Sequence, residues 1–391
     1  MKKIIICLSL LAGWLTSAQS VETKKAVITD TISGHIYKPQ QVDATDELIN
    51  QLKMPSGFKI SKFAENLGEA RMMAASDDGV VYLTVRPDKV LMLQDTNNDG
   101  KADKQQTVIP KEGAHGLAIN NDTLYLITVN DVFKGAINDD GTIGELEQIV
   151  KDLPDGGQHP NRTLAFGPDG MLYISVGSTC NACKETRDEN ATFVRVTPDG
   201  SKRTIYAKGL RNTIGYDWNE NGELYAMDHG IDWLGDDEQK EELNLIAEGN
   251  DYGWPYIYAD GKYNKGDEPP KMTWAEYAEK TTKPVMLFEA HSAPMNMKFY
   301  KGDMFPDEFK GSALITFHGS WNRAEPSGYN IMKLNFENGK PSGSEDFISG
   351  FVTDDGTKKF GRPVGLIELQ DGSILFSDDM NGIIYRVSYN E

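Results

Sequence analysis

The stretch DGGQHPNRTLAFGPDGMLYISVGS, residues 155–178, decides the fold. Leu164 and Phe166 form a short alternating apolar run, Pro168-Asp169-Gly170 supplies a tight turn, and Leu172, Ile174 and Val176 alternate again. Two period-2 runs joined through Asp-Gly spell a β-hairpin, since glycine accepts the positive φ of a tight turn while each run buries one face. His159 stands just ahead of the first run, where a strand begins. The arrangement recurs in SDDGVVYLTV (76–85), NNDTLYLITV (120–129), GPDGMLYISV (167–176), NENGELYAMD (219–228), FKGSALITFH (309–318) and LQDGSILFSD (369–378). These hairpins lie roughly 40 to 90 residues apart, and each is normally followed by two further strand-like runs, such as 90–93 and 105–109. Four antiparallel strands repeated six times predict an all-β fold, a six-bladed β-propeller of four-stranded antiparallel blades. The run 57–64 lacks a partner ahead of the first hairpin, and the last unit, ending at 383–389, lacks a fourth strand. Pairing the two would close the ring through an N-terminal strand on the C-terminal blade and remove two open edges. Two stacked sandwiches would leave that mutual deficit unexplained.

The 391 residues divide into a signal segment (1–18), an N-terminal extension (19–54) and the propeller (55–391). The start, MKKIIICLSLLAGWLTSAQS, has two lysines, an apolar run from Ile4 to Leu15 and small residues Thr16, Ser17 and Ala18. That pattern reads as a secretory signal cleaved after about Ala18, giving a periplasmic or secreted chain. The apolar run is too short for a membrane span, which needs about 20 residues. Residues 19–44 are polar and without period, and 44–52 suit a short helix, with Thr45 and Glu47 in its first turn. A net charge of −19 argues against nucleic acid or an anionic membrane as partner. After export only Cys180 and Cys183 remain, and in an oxidising compartment this C-x-x-C spacing favours a local disulfide. Lys184, where c-type haem attachment requires histidine, excludes that reading; one pair of thiols is too few for structural zinc.

Aligning the units places a cationic or imidazole side chain ahead of an apolar strand in each: Arg71, His115, His159, Arg211, His291 and Arg362. His229 and His318 occupy the matching position after the second strand. The first strand of each propeller blade lines the central channel, so these residues are expected to converge at one end of the axis. A ring of arginines and histidines on an acidic protein implies a small polyanionic ligand held by charge-assisted bonds.

At His159 with its hairpin, GLRNTIGYDW (209–218), DHGIDWLGDDEQKEELNLI (228–246), NDYGWP (250–255), AHSAP (290–294), HGSWNR (318–323) and the GRPVG, SDD and IYRVSY pieces near the end, the chain resembles the soluble sugar dehydrogenases that depend on pyrroloquinoline quinone (PQQ), most of all their sorbosone dehydrogenase-like branch. The likeness covers about residues 55–389, and the family's fold is a six-bladed propeller. It implies PQQ, a tricarboxylate that suits the cationic ring, with Ca2+ beneath its reactive carbonyl. His159 would be the general base taking a proton from a sugar hydroxyl, apt for a side chain that titrates near neutrality. Arg211 would stabilise developing negative charge and, with Asn212, contact the cofactor. Ser292, Arg323 and Arg362 fall where the family binds the cofactor, and Arg71, His115, His229, His291 and His318 complete the expected cofactor-binding set. Main-chain carbonyls of Gly230 and Ile231 would ligate calcium, a cation that prefers oxygen. The substrate would be an aldose-type sugar or a related hydroxyl or aldehyde, and a separate electron acceptor would be required.

Where glucose-oxidising relatives carry an aspartate to orient the base, this chain has Ser178, with Glu185 and Asp188 nearby as possible replacements; where they carry Gly-Pro at the calcium site it has Gly230-Ile231. A second calcium candidate is Asp95, Asn97, Asp99 and Asp103 with Gly100 between them, although Gln106 stands where a bidentate glutamate is needed and an ordinary polar turn is the alternative. Trp233 and Trp321 are the tryptophans nearest the expected site loops. Two rival functions remain at this stage. A calcium-dependent lactonase-type propeller would converge acidic rather than cationic side chains, and a non-enzymatic propeller would bind a glycan or partner without turnover.

Overall fold

The computed structural model describes residues 31–390, so the expected signal segment lies outside the described residues. Six four-stranded antiparallel sheets follow one another along the chain as the blades of a β-propeller. Their innermost strands are Glu69–Ala75, Leu117–Asn120, Thr163–Phe166, Thr213–Trp218, Pro294–Phe299 and Pro363–Glu368. The second strands, such as Leu172–Val176 and Ile374–Asp378, are buried along their whole length. Neighbouring blades cover both of their faces, so apolar residues are required at nearly every position. The last blade, Pro363–Glu368, Ile374–Asp378 and Ile383–Tyr389, takes Phe58–Ala64 as its outer strand, paired from Phe58 against Tyr389 to Ala64 against Ile384.

Met72, Ile214, Met295 and Val364, from four different blades, pack on one another. Beside them a narrow cavity of about 120 Å3 is lined by residues of all six inner strands, among them Leu117, Thr163 and Leu366. Each junction between consecutive blades carries a bond from a side chain to the main chain. Thr84 donates to His115 O at 2.8 Å, Thr163 to Ile214 O at 2.8 Å, Thr316 to Val364 O at 2.6 Å and Ser377 to Arg71 O at 2.6 Å. The imidazoles of His115 and His229 bridge the remaining two junctions, to Arg162 O and Pro294 O.

Three of these hydroxyls also fill a gap left by a β-bulge. The inner strands shift register against their neighbours between Ala70 and Met73, Pro294 and Asn296, and Pro363 and Leu366. The N–H groups of Met72, Asn296 and Gly365 are met there by Thr84, Thr316 and Ser377. A hydroxyl both accepts and donates, so one side chain satisfies the bulge and the adjacent blade together. Gly365 is required here: a Cβ would stand 2.3 Å from Arg71 O.

Three features depart from the regular repeat. In the fourth blade the strand Glu241–Ile246 is separated from Met286–Phe288 by an insertion holding the hairpin Ile257–Tyr258 and Lys262–Tyr263 and the helix Trp274–Ala278. In the fifth, the turn expected near 309–312 is the end of a longer connection with a 3-10 turn, Asp307–Phe309. Residues from 32 onward are not a free tail. Gln40–Gln41 pairs in parallel with Lys358–Lys359, Tyr37 N donates to Trp321 O, and His35 bonds Asp236 through its ring and its main-chain N–H. The expected short helix is Asp46–Ile49, with Thr45 as its N-cap.

Substituting Thr316→Val keeps the shape of the side chain and leaves Asn296 N and Val364 O unpaired in the interior. Burying two polar groups without partners should cost roughly 1–3 kcal/mol each at most, seen as a lower midpoint of chemical denaturation with an unchanged slope.

Candidate active site

His159 sits half-buried at the start of the third blade. Its Nδ1 is 2.9 Å from Ser178 O and 2.8 Å from Ser178 Oγ. A carbonyl can only accept, so Nδ1 carries the hydrogen and Nε2 keeps its lone pair. The Ser178 hydroxyl is in turn held by Cys180 O at 2.9 Å. Glu185, one possible orienting carboxylate, turns elsewhere, to Thr179 and the indole N–H of Trp254; Asp188 is exposed. The histidine is therefore oriented by a carbonyl and a hydroxyl in place of a carboxylate. Burial first, and the positive charge of Arg211 second, lower its pKa to about 3, so the ring is neutral at physiological pH.

Gln158, His159, Arg211, Asn212, His229 and Asp232 line one pocket of about 390 Å3, within the roughly 300–1,000 Å3 usual for small-molecule sites. Arg211 is 2% exposed. Its Nε and Nη2 donate to O and Oδ1 of Asn181, Nη1 donates to His229 O at 3.3 Å, and Asp232 lies 3.6 Å from Nη2. The guanidinium also lies over the Trp254 ring, 5.6 Å from its centroid. Asn212 Oδ1 is buried without a hydrogen-bond partner, a polar atom left over at the pocket. A larger cleft of about 540 Å3 beside Phe58–Ala64 brings together no comparable set, since its Lys62 is paired with Asp46 and Glu65.

The other ring residues join the same end through bonds. Arg162 Nη1 donates to His159 O at 2.7 Å, and Arg162 O meets His115 Nδ1 at 2.9 Å. His115 Nε2 faces Arg71, whose Nη1 pairs with Asp379 at 2.6 Å. Asp379 also takes His318 Nε2 at 2.9 Å, and Arg362 donates to the carbonyls of His318 and Gly319. Both ring nitrogens of His115 are thus occupied, and it is not among the residues that line the pocket. His291 reaches the pocket only through Asn322, whose Nδ2 also donates to Asp232 O at 2.6 Å. It takes a left-handed φ of 64°, and its ring binds Gly235 O and Asn322. Ser292 and Arg323 turn toward the Glu289 loop, Ser292 Oγ to its carbonyl and Arg323 Nη1 to its carboxylate at 2.6 Å.

Beneath the pocket runs His229-Gly230-Ile231. Gly230 N–H donates to Glu241 at 2.8 Å and Ile231 N–H to Gln239 at 3.2 Å. In a trans peptide N–H and C=O point opposite ways, so the Gly230 carbonyl is directed away from Gln239. Burial raises the pKa of Glu241, and of its neighbour Glu242, to about 7. Asp228 accepts the main-chain N–H groups of both Arg211 and Asn212, fixing the start of the fourth inner strand. In the loop Asp95, Asn97, Asp99 and Asp103, the carboxylates instead receive the loop's own donors: Gly100 N at Asp95, Lys101 N at Asp99 and Thr96 at Asp103. Among the described residues no three His, Cys, Asp or Glu side chains are grouped to hold a metal. The bonds of the Asp95 loop are those of a polar Asp/Asn/Gly turn.

Asn181, Asp232, Arg162, Asp228 and Asp379 were not singled out from sequence. Asp228, Asp232 and Asp379 lie inside motifs quoted for the family likeness. Asn181 sits between the two cysteines, which form the disulfide Cys180–Cys183. Trp233 is 52% exposed and packs edge-to-face on Trp321 at 5.1 Å beside Asp232, while Trp218 and Trp254 are buried.

A family model described as TrAA12-like matches residues 52–390. An uncharacterised protein of Borreliella burgdorferi is 30% identical over 369 residues, covering 89% of this chain and 93% of its own. The Escherichia coli protein named aldose sugar dehydrogenase YliI is 26% identical over 193 residues, 44% of this chain and 49% of its own. Among solved structures, the holo form of the pyranose dehydrogenase PQQ domain from Coprinopsis cinerea superposes with a TM-score of 0.76 at 17% identity, covering 90% of this chain and 100% of that one. That likeness shows the shared fold.

The lowered His159 pKa fixes a pH signature. In the free protein the His159 ring should show no titration by nuclear magnetic resonance between pH 8 and about 5. A His159 midpoint near the ordinary 6.5 would contradict the buried, Arg211-facing geometry.

Proposed function

Because the chain belongs to the TrAA12-like family, we propose that it is an exported PQQ- and calcium-dependent dehydrogenase that oxidises an aldose-type sugar or a related hydroxyl or aldehyde. The observation that carries this is the pairing, in one pocket, of a neutral histidine with a bare Nε2 and a buried guanidinium. The names of the E. coli and Coprinopsis relatives, a sugar dehydrogenase and a PQQ domain, support it. So does the donor chemistry: the Arg211 guanidinium, with the Asn212 amide beside it, on a volume of about 390 Å3 suits a compact polycarboxylate. Export is supported by the basic-apolar-small pattern of residues 1–18 and by the disulfide, which is at home in an oxidising compartment.

The chain's own contribution is positional and electrostatic. Bound PQQ would supply the hydride-accepting chemistry. Arg211 and Asn212 would hold it, and the Gly230 and Ile231 carbonyls would hold calcium. His159 Nε2 would take the substrate hydroxyl proton, and Nδ1–H, anchored on Ser178, keeps Nε2 in the accepting tautomer throughout. Arg211 lowers the basicity of His159 in the free protein. An anion seated on the guanidinium would offset that charge and raise the basicity once the site is loaded. Trp233, exposed beside Asp232, offers an apolar face to a sugar ring.

Titrating the purified protein with PQQ in the presence and absence of Ca2+, by calorimetry and absorbance, should show saturable binding that chelators weaken. An aldose panel should then drive reduction of an artificial dye acceptor. His159→Ala should lower kcat by roughly 100- to 10,000-fold, the usual worth of a general base, with PQQ affinity nearly unchanged. Absence of PQQ binding, or turnover that survives His159→Ala, would refute the assignment.

A further inference from the structure

The disulfide loop touches both halves of the candidate chemistry. On one side Ser178 holds His159 Nδ1, and the Ser178 hydroxyl is fixed by Cys180 O. On the other, Asn181 receives Arg211 twice, at its carbonyl (2.9 Å) and at its side-chain oxygen (2.7 Å), and the same Oδ1 accepts Asp232 N at 3.0 Å. The backbone closes the connection, since Ser178 N donates to Arg211 O at 2.7 Å. Glu185, at the far end of the loop, binds Thr179 N and Oγ1 with one oxygen and the indole N–H of Trp254 with the other. Trp254 lies over Arg211, so the contacts form a closed circuit around the guanidinium. The Cys180–Cys183 bond is the covalent member of that circuit.

We propose that Asn181, pinned by the Cys180–Cys183 disulfide, is a positioning residue that sets the Arg211 guanidinium, and that the same stapled loop sets His159, so that the two act as one unit. This deepens the dehydrogenase assignment and rests on it for its catalytic meaning.

The residue type follows from electrostatics. An amide oxygen and a main-chain carbonyl satisfy two donor directions of a fork-shaped cation without adding negative charge. The guanidinium stays net positive toward the pocket, with Asp232, at 3.6 Å, as its carboxylate neighbour there. An aspartate at 181 would preserve the reach and cancel the charge. An alanine would preserve the charge and release the position. The start of the loop packs closely on its neighbour Gly157, where a Cβ would lie 2.1 Å from Thr179 O. Cys180, Asn181 and Cys183 are partly exposed at the pocket rim, within reach of a dithiol reductant. Such a reductant would give two electrons and two protons to the disulfide, leaving two thiols here and becoming a disulfide itself.

The test uses the full exported protein and two independent readouts. By calorimetry with PQQ and Ca2+, Asn181→Ala should bind PQQ roughly 10- to 100-fold more weakly, the worth of bonds to a charged group, while its thermal midpoint stays close to that of the parent. Asn181→Asp should also weaken binding, and it alone should move the His159 titration upward in the PQQ-free protein. In that same free protein, the paired variant Cys180→Ser, Cys183→Ser, and dithiol-reduced wild type, should both broaden the downfield His159 Nδ1–H resonance through faster exchange with water. PQQ affinity of Asn181→Ala within threefold of wild type, or a His159 resonance indifferent to loss of the disulfide, would overturn the proposal. If wild type itself binds no PQQ, the dehydrogenase assignment fails, and the His159 resonance and titration still decide whether the loop positions the pair.

Discussion

The structure depends on one kind of bond, made at every blade junction, in which a buried side chain reaches the main chain of the next inner strand. A propeller blade twists, and its inner strand cannot pair with both neighbours around a closed ring, so the main-chain groups turned toward the axis need other partners. Thr84, Thr163, Thr316 and Ser377 supply them, and three of these hydroxyls also satisfy an N–H exposed by a bulge. Because each bond is anchored near the start of an inner strand, the residues at those starts have fixed directions. Arg211 and Asn212 of the pocket directly precede the inner strand Thr213–Trp218, His159 stands four residues ahead of Thr163–Phe166, and His229 and Asp232 follow the second strand Leu224–Asp228.

Two junctions use imidazoles, and that separates the histidines by role. His115 spends both nitrogens, on Arg162 O and Arg71, and His229 spends Nε2 on Pro294 O. His318 is tied to Asp379. Burial lowers the pKa of each, to about 3 for His115 and about 4 for His229 and His318, so all three serve as neutral hydrogen-bonding groups. His159 differs in being half-buried, with one nitrogen anchored and the other turned to the pocket lining. A carboxylate partner would raise its basicity, whereas a carbonyl and a hydroxyl orient the ring without doing so.

The fold was legible because its signal is periodic: alternating runs recur in all six hairpins, four of them joined through Asp-Gly or Asn-Gly, and the unpaired runs at 57–64 and 383–389 are complementary in number. The fourth blade's insertion was not legible, since the helix Trp274–Ala278 is too short to show a period and buries no residue. At the site, the phase of the repeat located His159 and Arg211 correctly within one pocket. It could not separate His115, which points into a junction, from His159, which lines the pocket: the repeat aligns them, whereas the structure sets His115 two residues ahead of Leu117–Asn120 and His159 four ahead of Thr163–Phe166. Ser178 was recognised as a departure, but its partnership with Cys180 O depends on the loop's folding back through the disulfide. Asn181 was hidden for the same reason: nothing in an isolated C-N-A-C signals that Arg211, thirty residues on, would reach it.

Counter-ions sort the arginines. Arg71 faces Asp379 and Arg323 faces Glu289, each at 2.6 Å, and their charges are largely cancelled on the spot. Arg211 bonds mainly to neutral oxygens, and Arg362 donates to two main-chain carbonyls, so these two keep charge to offer. That matters on a chain of net charge −19. Surface carboxylates act through water and are screened over roughly 8–10 Å in salt solution. A guanidinium that is 2% exposed acts at short range in a poorer dielectric, where each contact is worth more. On the cofactor assignment proposed above, a compact polycarboxylate small enough to enter the pocket would meet that charge at short range. Selectivity for a small anion would then follow from where the charges are buried, with no need for a basic surface.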